Sequence, residues 1–216
     1  MPTRTFRNLA VEKQEKILQA AIREFKQRNV QEANLSNIVS AAGISRGSLY
    51  QYFSNREDMY VYIFDTLRAR RAEYVKPAFN LYKKAPFIEF FEAFYLRDSE
   101  FLLMHPDHIE LGKQLYSHAH GVSRGLIQRQ QIQYKESFLI AIEFDKERNI
   151  IAPDIDSSAL AELCVHFVTD IFIFHSVTSQ LSMENIRRHA SKTLYIIKNG
   201  ITLRNAFPLD NQSSRQ

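Results

Sequence analysis

The sequence predicts an all-α protein in two unequal parts, a small N-terminal three-helix unit and a larger helical C-terminal region. Three observations carry that prediction. Glycine and proline number only six each in 216 residues, strict apolar/polar alternation is almost absent, and Leu, Ala, Glu, Lys and Gln are common, which favours helices with short connections. Apolar residues recur three and four apart along most of the chain. Charge is unevenly spread: residues 1–56 hold nine Lys/Arg and four Asp/Glu, a net +5, whereas the remainder hold nineteen and twenty, a net −1. All the excess of a +4 chain therefore lies in its first quarter, as expected where a segment meets a polyanion.

A hydrophobic content of 45% is enough for a real core. The single cysteine, Cys164, excludes an internal disulfide framework, reads as a small buried apolar group and suits a reducing compartment. The N-terminus has basic residues and no apolar run, so no signal peptide is read there. The most apolar region, 159–177, is interrupted by Glu162, His166, Asp170 and His175, which argues against a membrane span and for a soluble, cytoplasmic protein.

The elements follow in order. Ile17, Leu18, Ala21, Ile22 and Phe25 share one helical face over about 10–28, with Glu12, Lys13, Glu15, Lys16, Arg23 and Glu24 on the other. Asn29 stands where a left-handed terminal residue is wanted. Asn34 is placed to cap a second helix with Leu35, Ile38, Val39 and Ala42 turned inward, and Gly43 ends it. Ser45 then caps a short helix from Arg46 to about Tyr52. Two helices joined by a tight glycine turn form a helix-turn-helix, the unit that lays its second helix in a DNA major groove.

The side chains of that short helix fit such a role. Leu49 and Phe53 face inward, leaving Arg46, Gly47, Ser48, Tyr50 and Gln51 facing outward with Ser45 at their start. Gly47 permits close backbone approach, while hydroxyls, a phenol and an amide can contact phosphates or base edges. The ring of Tyr52 can either pack beside Leu49 and Phe53 or reach the DNA.

Here the chain resembles the tetracycline-repressor family of bacterial transcription regulators. The resemblance rests on "ILQAAIREF" (17–25) and "LSNIVSAAGISRGSLYQYFSNREDMY" (35–60), and covers about the first quarter of the chain. Asn29 and Val30 depart from it, standing where the family usually has Gly followed by an aromatic residue. The resemblance implies that Arg46, Gly47, Ser48, Tyr50, Gln51 and Tyr52 contact DNA from the recognition helix, and that Asn34, Ser36 and Arg56 contact phosphates. It also implies a homodimer and a ligand-binding C-terminal domain. On this reading residues 1–54 are the DNA-binding domain and 55–210 the ligand-binding and dimerisation domain.

In the C-terminal part a connecting helix is expected from 55 to about 74, with Met59, Tyr62, Ile63 and Leu67 on one side. Further helices are expected near 86–103, 107–118, 122–148, 157–180 and 183–205. The last two carry wide apolar arcs that include Leu163, Phe167, Ile171, Phe174, Ala190, Leu194, Ile197 and Ile201. Such arcs suit either a twofold dimer interface or a large monomer core. Phe87, Phe90, Phe91, Phe94, Tyr95, Phe101, Met104, Tyr116 and Phe138 either pack as core or line a cavity for an apolar or aromatic effector. No metal site or cofactor is expected: His118 and His120, two apart on a helix, point to different sides.

Glycine-rich phosphate loops and the HExxH and GxSxG motifs are absent, so no enzyme is read. The function expected is a ligand-responsive regulator, most naturally a repressor, that binds a pseudo-palindromic operator as a dimer and leaves it on binding an apolar effector. The alternative is a helical carrier or enzyme whose helix-turn-helix serves another role.

Overall fold

A computed structural model describes residues 2–169 and 182–200. Every regular element among the described residues is helical. The elements are α1 (Arg4–Arg7), α2 (Val11–Gln27), α3 (Leu35–Ala42), α4 (Arg46–Tyr52), α5 (Arg56–Phe79), α6 (Phe87–Met104), α7 (Pro106–Ser117), α8 (Gly121–Glu147), α9 (Ser157–Thr169) and α10 (Met183–Asn199). Of the expected interface residues, Ile171, Phe174 and Ile201 lie outside the described residues.

The helix starts in the N-terminal region follow their caps. The side chains of Asn34, Ser45 and Asn55 each occupy the N-cap and accept a backbone N–H from the first turn, from Ser36, Ser48 and Asp58 respectively. Gly43 closes α3 at φ +66°, a left-handed conformation that glycine adopts without steric cost.

Three expectations are corrected. Asn29 is not left-handed: the extended Arg28 terminates α2, and the Asn29 side chain instead accepts the N–H groups of Gln31 and Glu32, forming a turn. Glu24 is not on the solvent face but 6% exposed. The connecting helix does not stop before Pro77 but runs to Phe79. A short helix, α1, was not expected; it docks Phe6 against the rings of Tyr52, Phe53 and Tyr62.

Two large apolar clusters organise the molecule. The first joins Phe6, Phe25, Ile38, Leu49, Tyr52 and Phe53 to Met59, Ile63 and Leu67 of α5, and continues into Leu111 and Leu115 of α7 and Leu126 of α8. The N-terminal helices are thus packed into those that follow them. Ion pairs reinforce the seam, Lys26 with Asp107 at 2.5 Å and Arg70 with Glu15 at 2.8 Å.

The second cluster holds the end of α5, most of α6, the C-terminal half of α8, α9 and α10. The amide of Phe87, unpaired within α6, is satisfied by the buried carboxylate of Asp145 on α8 at 2.5 Å. Cys164 is buried here, and burial pushes its thiol up to about 12, so it behaves as an apolar group. Among the described residues, no helix is long and apolar enough to cross a membrane, and no group of three His, Cys, Asp or Glu residues is arranged to hold a metal ion.

Candidate functional site

The outward side of α4 is where sequence reasoning placed the chemistry. Leu49 and Tyr52 are buried on the side of the helix that packs against α1 and α3, while Ser45, Arg46, Gly47, Tyr50 and Gln51 are exposed and Ser48 is half-buried. Tyr50 is 48% exposed, Tyr52 only 5%. The ring of Tyr52 therefore belongs to the core, edge-on to Phe6 at 5.8 Å, and is withdrawn from the outward face. Tyr50, half exposed beside it, gains little from folding.

Asn34, Ser36, Arg46, Tyr50 and Arg56 are brought together around an open groove of about 350 Å³, which Glu32 also lines. Asn34 and Ser36 stand at the N-terminal end of α3, where backbone N–H groups and the helix dipole favour an anion. Arg56 is held differently from expectation. Its guanidinium donates to the Val30 and Gln31 carbonyls, closing the corner between α2 and α3. Its charge stays at the groove while its donors are partly engaged in structure.

Sequence reasoning missed the support of this surface. Glu24 accepts the Asn34 N–H at 2.7 Å, the Asn37 amide at 2.9 Å and the Arg28 guanidinium at 2.8 Å. Burial works to raise its carboxyl pKa, but these hydrogen bonds outweigh burial and hold it below the ordinary value. Thr3 likewise ties the N-terminus to the end of α4, donating from its N–H to the Tyr52 carbonyl and from its hydroxyl to that of Gln51.

The expected effector residues divide. Phe87, Phe90, Phe91, Phe94, Tyr95 and Phe138 are at most 4% exposed, and most neighbouring rings meet tilted or edge-on, as between Phe91 and Phe138 at 5.2 Å, while Phe87 and Phe91 stack. Among the described residues they pack together as core. Phe101 packs with Leu102 and Ile109, and Met104 is exposed.

Only Tyr116 of that set lines a partly open cavity of about 60 Å³ between α5, α7 and α8. Its other walls are Leu67, Leu111, Leu115 and Leu126, with Arg71, His108 and Gln130 among the polar groups. A signal for this site was present in the sequence. Ile63, Leu67, Arg71 and Val75 form one stripe at four-residue spacing, with a guanidinium where an apolar side chain is expected.

Burial works against the charge of Arg71, but the Asp98 carboxylate, paired with both its Nε and Nη2, more than offsets this and keeps it protonated. His108 is pushed down to about 4 by burial, then by the charges of His105 and Arg71, and is neutral at pH 7. It lies near the Leu67 carbonyl, yet neither ring nitrogen makes a hydrogen bond of acceptable geometry. A buried polar group left so costs about 1–3 kcal/mol.

The expected dimer residues also divide. Ala190 and Leu194 are buried within the protomer, Phe167 packs on Tyr95 at 4.5 Å, and Ile197 is half-buried against the same core. Leu163 alone of the described set points outward, 51% exposed, and Tyr195 and Ile196 on α10 are 68% and 50% exposed.

Comparison with known proteins bears directly on the helix-turn-helix. Residues 17–63, from mid-α2 to the first turns of α5, match the sequence family of bacterial regulatory proteins named for TetR. That segment carries the helix-turn-helix of the TetR family. Over 64 residues it is 36% identical to the uncharacterised helix-turn-helix transcriptional regulator YvdT of Bacillus subtilis, a match covering 30% of this chain and 33% of that protein. The chain thus spans about a third of the length of the relative it matches.

The fold likeness extends further. A TetR-family regulator from Chloroflexus aurantiacus superposes with a TM-score of 0.70 at 18% identity, covering 94% of this chain and 100% of that one. The regulator FadR of Bacillus subtilis, solved with stearoyl-CoA, superposes with a TM-score of 0.71 at 15% identity, covering 87% and 99%. At such identities the likeness speaks for the TetR fold alone.

Proposed function

We propose that the protein is a ligand-responsive transcriptional regulator, a repressor that binds a pseudo-palindromic operator as a homodimer and releases it on binding a small effector. Residues 1–54 are the reading head, and 55–210 the effector and dimerisation part. The observation that carries this reading is the outward face of α4, where Arg46, Gly47, Tyr50 and Gln51 stand exposed above a buried Leu49 and Tyr52. Those side chains read base edges, while Asn34, Ser36 and the charge of Arg56 position the phosphates. In a twofold dimer the two α4 helices must stand about 34 Å apart, one turn of B-DNA.

The effector cavity supports control of that geometry. Its walls Leu67, Leu111, Leu115 and Leu126 belong to the same apolar cluster as Leu49 and Tyr52, so an occupant that shifts α7 displaces the bed of the reading head. A ligand that binds the splayed dimer better weakens DNA binding by the ratio of its affinities for the two states, and DNA weakens the ligand equally. A coupling of about 2–3 kcal/mol suffices to switch a promoter.

The test is selection of duplexes from a random pool, followed by a salt titration of the winner. A palindromic consensus is expected, with log affinity falling against log salt at a slope of roughly −5 to −9 for six to ten phosphates contacted. A slope near zero, or no enrichment, overturns the reading.

A further inference from the structure

The cavity between α5, α7 and α8 carries a charge imbalance. Three guanidiniums line it, those of Arg68, Arg71 and Arg129, and two carboxylates answer them. Asp98 is committed to Arg71 on the inner wall, where the two side chains are 1% and 8% exposed. Asp65 on the outer wall is shared by Arg68 at 3.4 Å and Arg129 at 3.3 Å. One positive charge is left over beside a surface made mostly of leucine.

The same cavity holds His108, whose two ring nitrogens are buried without a hydrogen-bond partner. A neutral imidazole offers one N–H donor and one acceptor. Water satisfies such a ring without using the surplus charge or the leucines, whereas an anion with a hydrocarbon body answers all three features together.

We propose that this cavity binds a carboxylate with a short hydrocarbon body. The carboxylate accepts from the His108 N–H within the field of the surplus guanidinium charge, and the hydrocarbon lies against Leu67, Leu111, Leu115 and Leu126. This narrows the effector, read above as apolar, to an acid, and rests on the reading of this cavity as the effector site. At about 60 Å³ the space is well under the roughly 150 Å³ that admits benzene, so the acid is short or α7 gives way on binding.

The experiment is calorimetric titration of the full chain at neutral pH and constant ionic strength. The probes are straight-chain carboxylates from butyrate to octanoate, each against the alcohol and the amine of equal length. Carboxylates are expected to bind about tenfold tighter than the matching alcohols, with the amines weakest. His108→Leu and Arg129→Gln are each expected to abolish most of that preference. Arg129→Gln lies on the outer wall, 51% exposed, so it preserves the test if the histidine variant fails to fold.

Alcohols binding as well as acids, acid binding indifferent to both variants, or no acid binding up to tens of millimolar each overturns the assignment. The same titrations repeated with operator DNA separate this inference from the functional reading. Acids that bind as expected yet leave DNA affinity unchanged uphold the ligand class and remove its role as effector. Alcohols that release DNA while acids do not uphold the effector site and overturn the acid.

Discussion

At Gly47 the backbone gives no reason for glycine: its φ is not positive, and an added Cβ meets nothing nearer than the Ser45 hydroxyl at 3.8 Å. Glycine inside a helix costs roughly 0.5–1 kcal/mol relative to alanine, so a purely structural position is improved by alanine. Gly47→Ala is therefore expected to raise the unfolding free energy by about that amount and to weaken operator binding. Thermal melts and mobility shifts on the same preparation check it. A variant that is both more stable and equally tight on DNA would place close approach elsewhere. Tyr50→Ala should leave stability within about 0.5 kcal/mol, because the ring is half exposed, and abolish specific binding.

His108 makes a prediction of opposite character. Its pKa falls from 6.5 to about 4 on folding, so the unfolded chain takes up a proton that the folded chain refuses. The stability this contributes is present above 6.5 and is lost as pH falls through that value toward 4. Between about pH 7 and pH 5 the loss should be about 1–2 kcal/mol. Urea unfolding at the two pH values should show it, and His108→Leu should flatten the difference; an unchanged difference would place the acid sensitivity in other groups.

Among the elements, α2 and α3 are joined through a carboxylate. Glu24→Ala leaves the Asn34 N–H and the Asn37 amide without their acceptor, and should cost about 1–3 kcal/mol. Because α3 also carries Asn34 and Ser36, the loss should appear in DNA affinity as well as in the melting temperature. The sign of its pH dependence is that of a depressed carboxylate: its contribution is full above the ordinary carboxylate range and fades as pH falls through the folded pKa. Wild-type stability in the variant would show that the corner is held by Arg56 and the turn at Asn29 alone.

The elements also show what was legible. Asn34, Ser45 and Asn55 could be read as helix starts because each satisfies an amide only two or three residues ahead. The start of α6 falls at Phe87, next to the expected 86, but the group that satisfies its first amide could not be read from its neighbours, because it is Asp145, 58 residues away. Glu24 was misplaced on the solvent face for the same reason. Its partners at 34 and 37 enter only when α3 folds back on α2, and periodicity within α2 does not contain them.

On the scale of the whole molecule, the dimer reading now rests on Leu163, Tyr195 and Ile196, the described large apolar residues that α9 and α10 leave exposed. Leu163→Arg or Ile196→Glu adds charge to a surface already open in the protomer, so the fold should survive while association is lost. The penalty is at least about 3 kcal/mol for a charge trapped unpaired in an interface. Light scattering should report a monomer with unchanged helix content; a dimer in both variants would place the contact on another face.

Taken by itself, the sequence determined the all-α class, the helix-turn-helix and the outward set on α4. All three depend on short-range relations: a repeat near 3.6 residues, a cap next to its helix, a glycine at a turn. The tertiary structure decided which apolar stripes were core and which enclosed space. Phe87, Phe90, Phe91, Phe94 and Phe138 close on one another, while the cavity opens where Arg71, His108 and Tyr116 on α5 and α7 meet Leu126 on α8. Aromatic content in one helix fixes how much surface must be buried, but whether a void remains depends on how facing side chains from distant segments interdigitate.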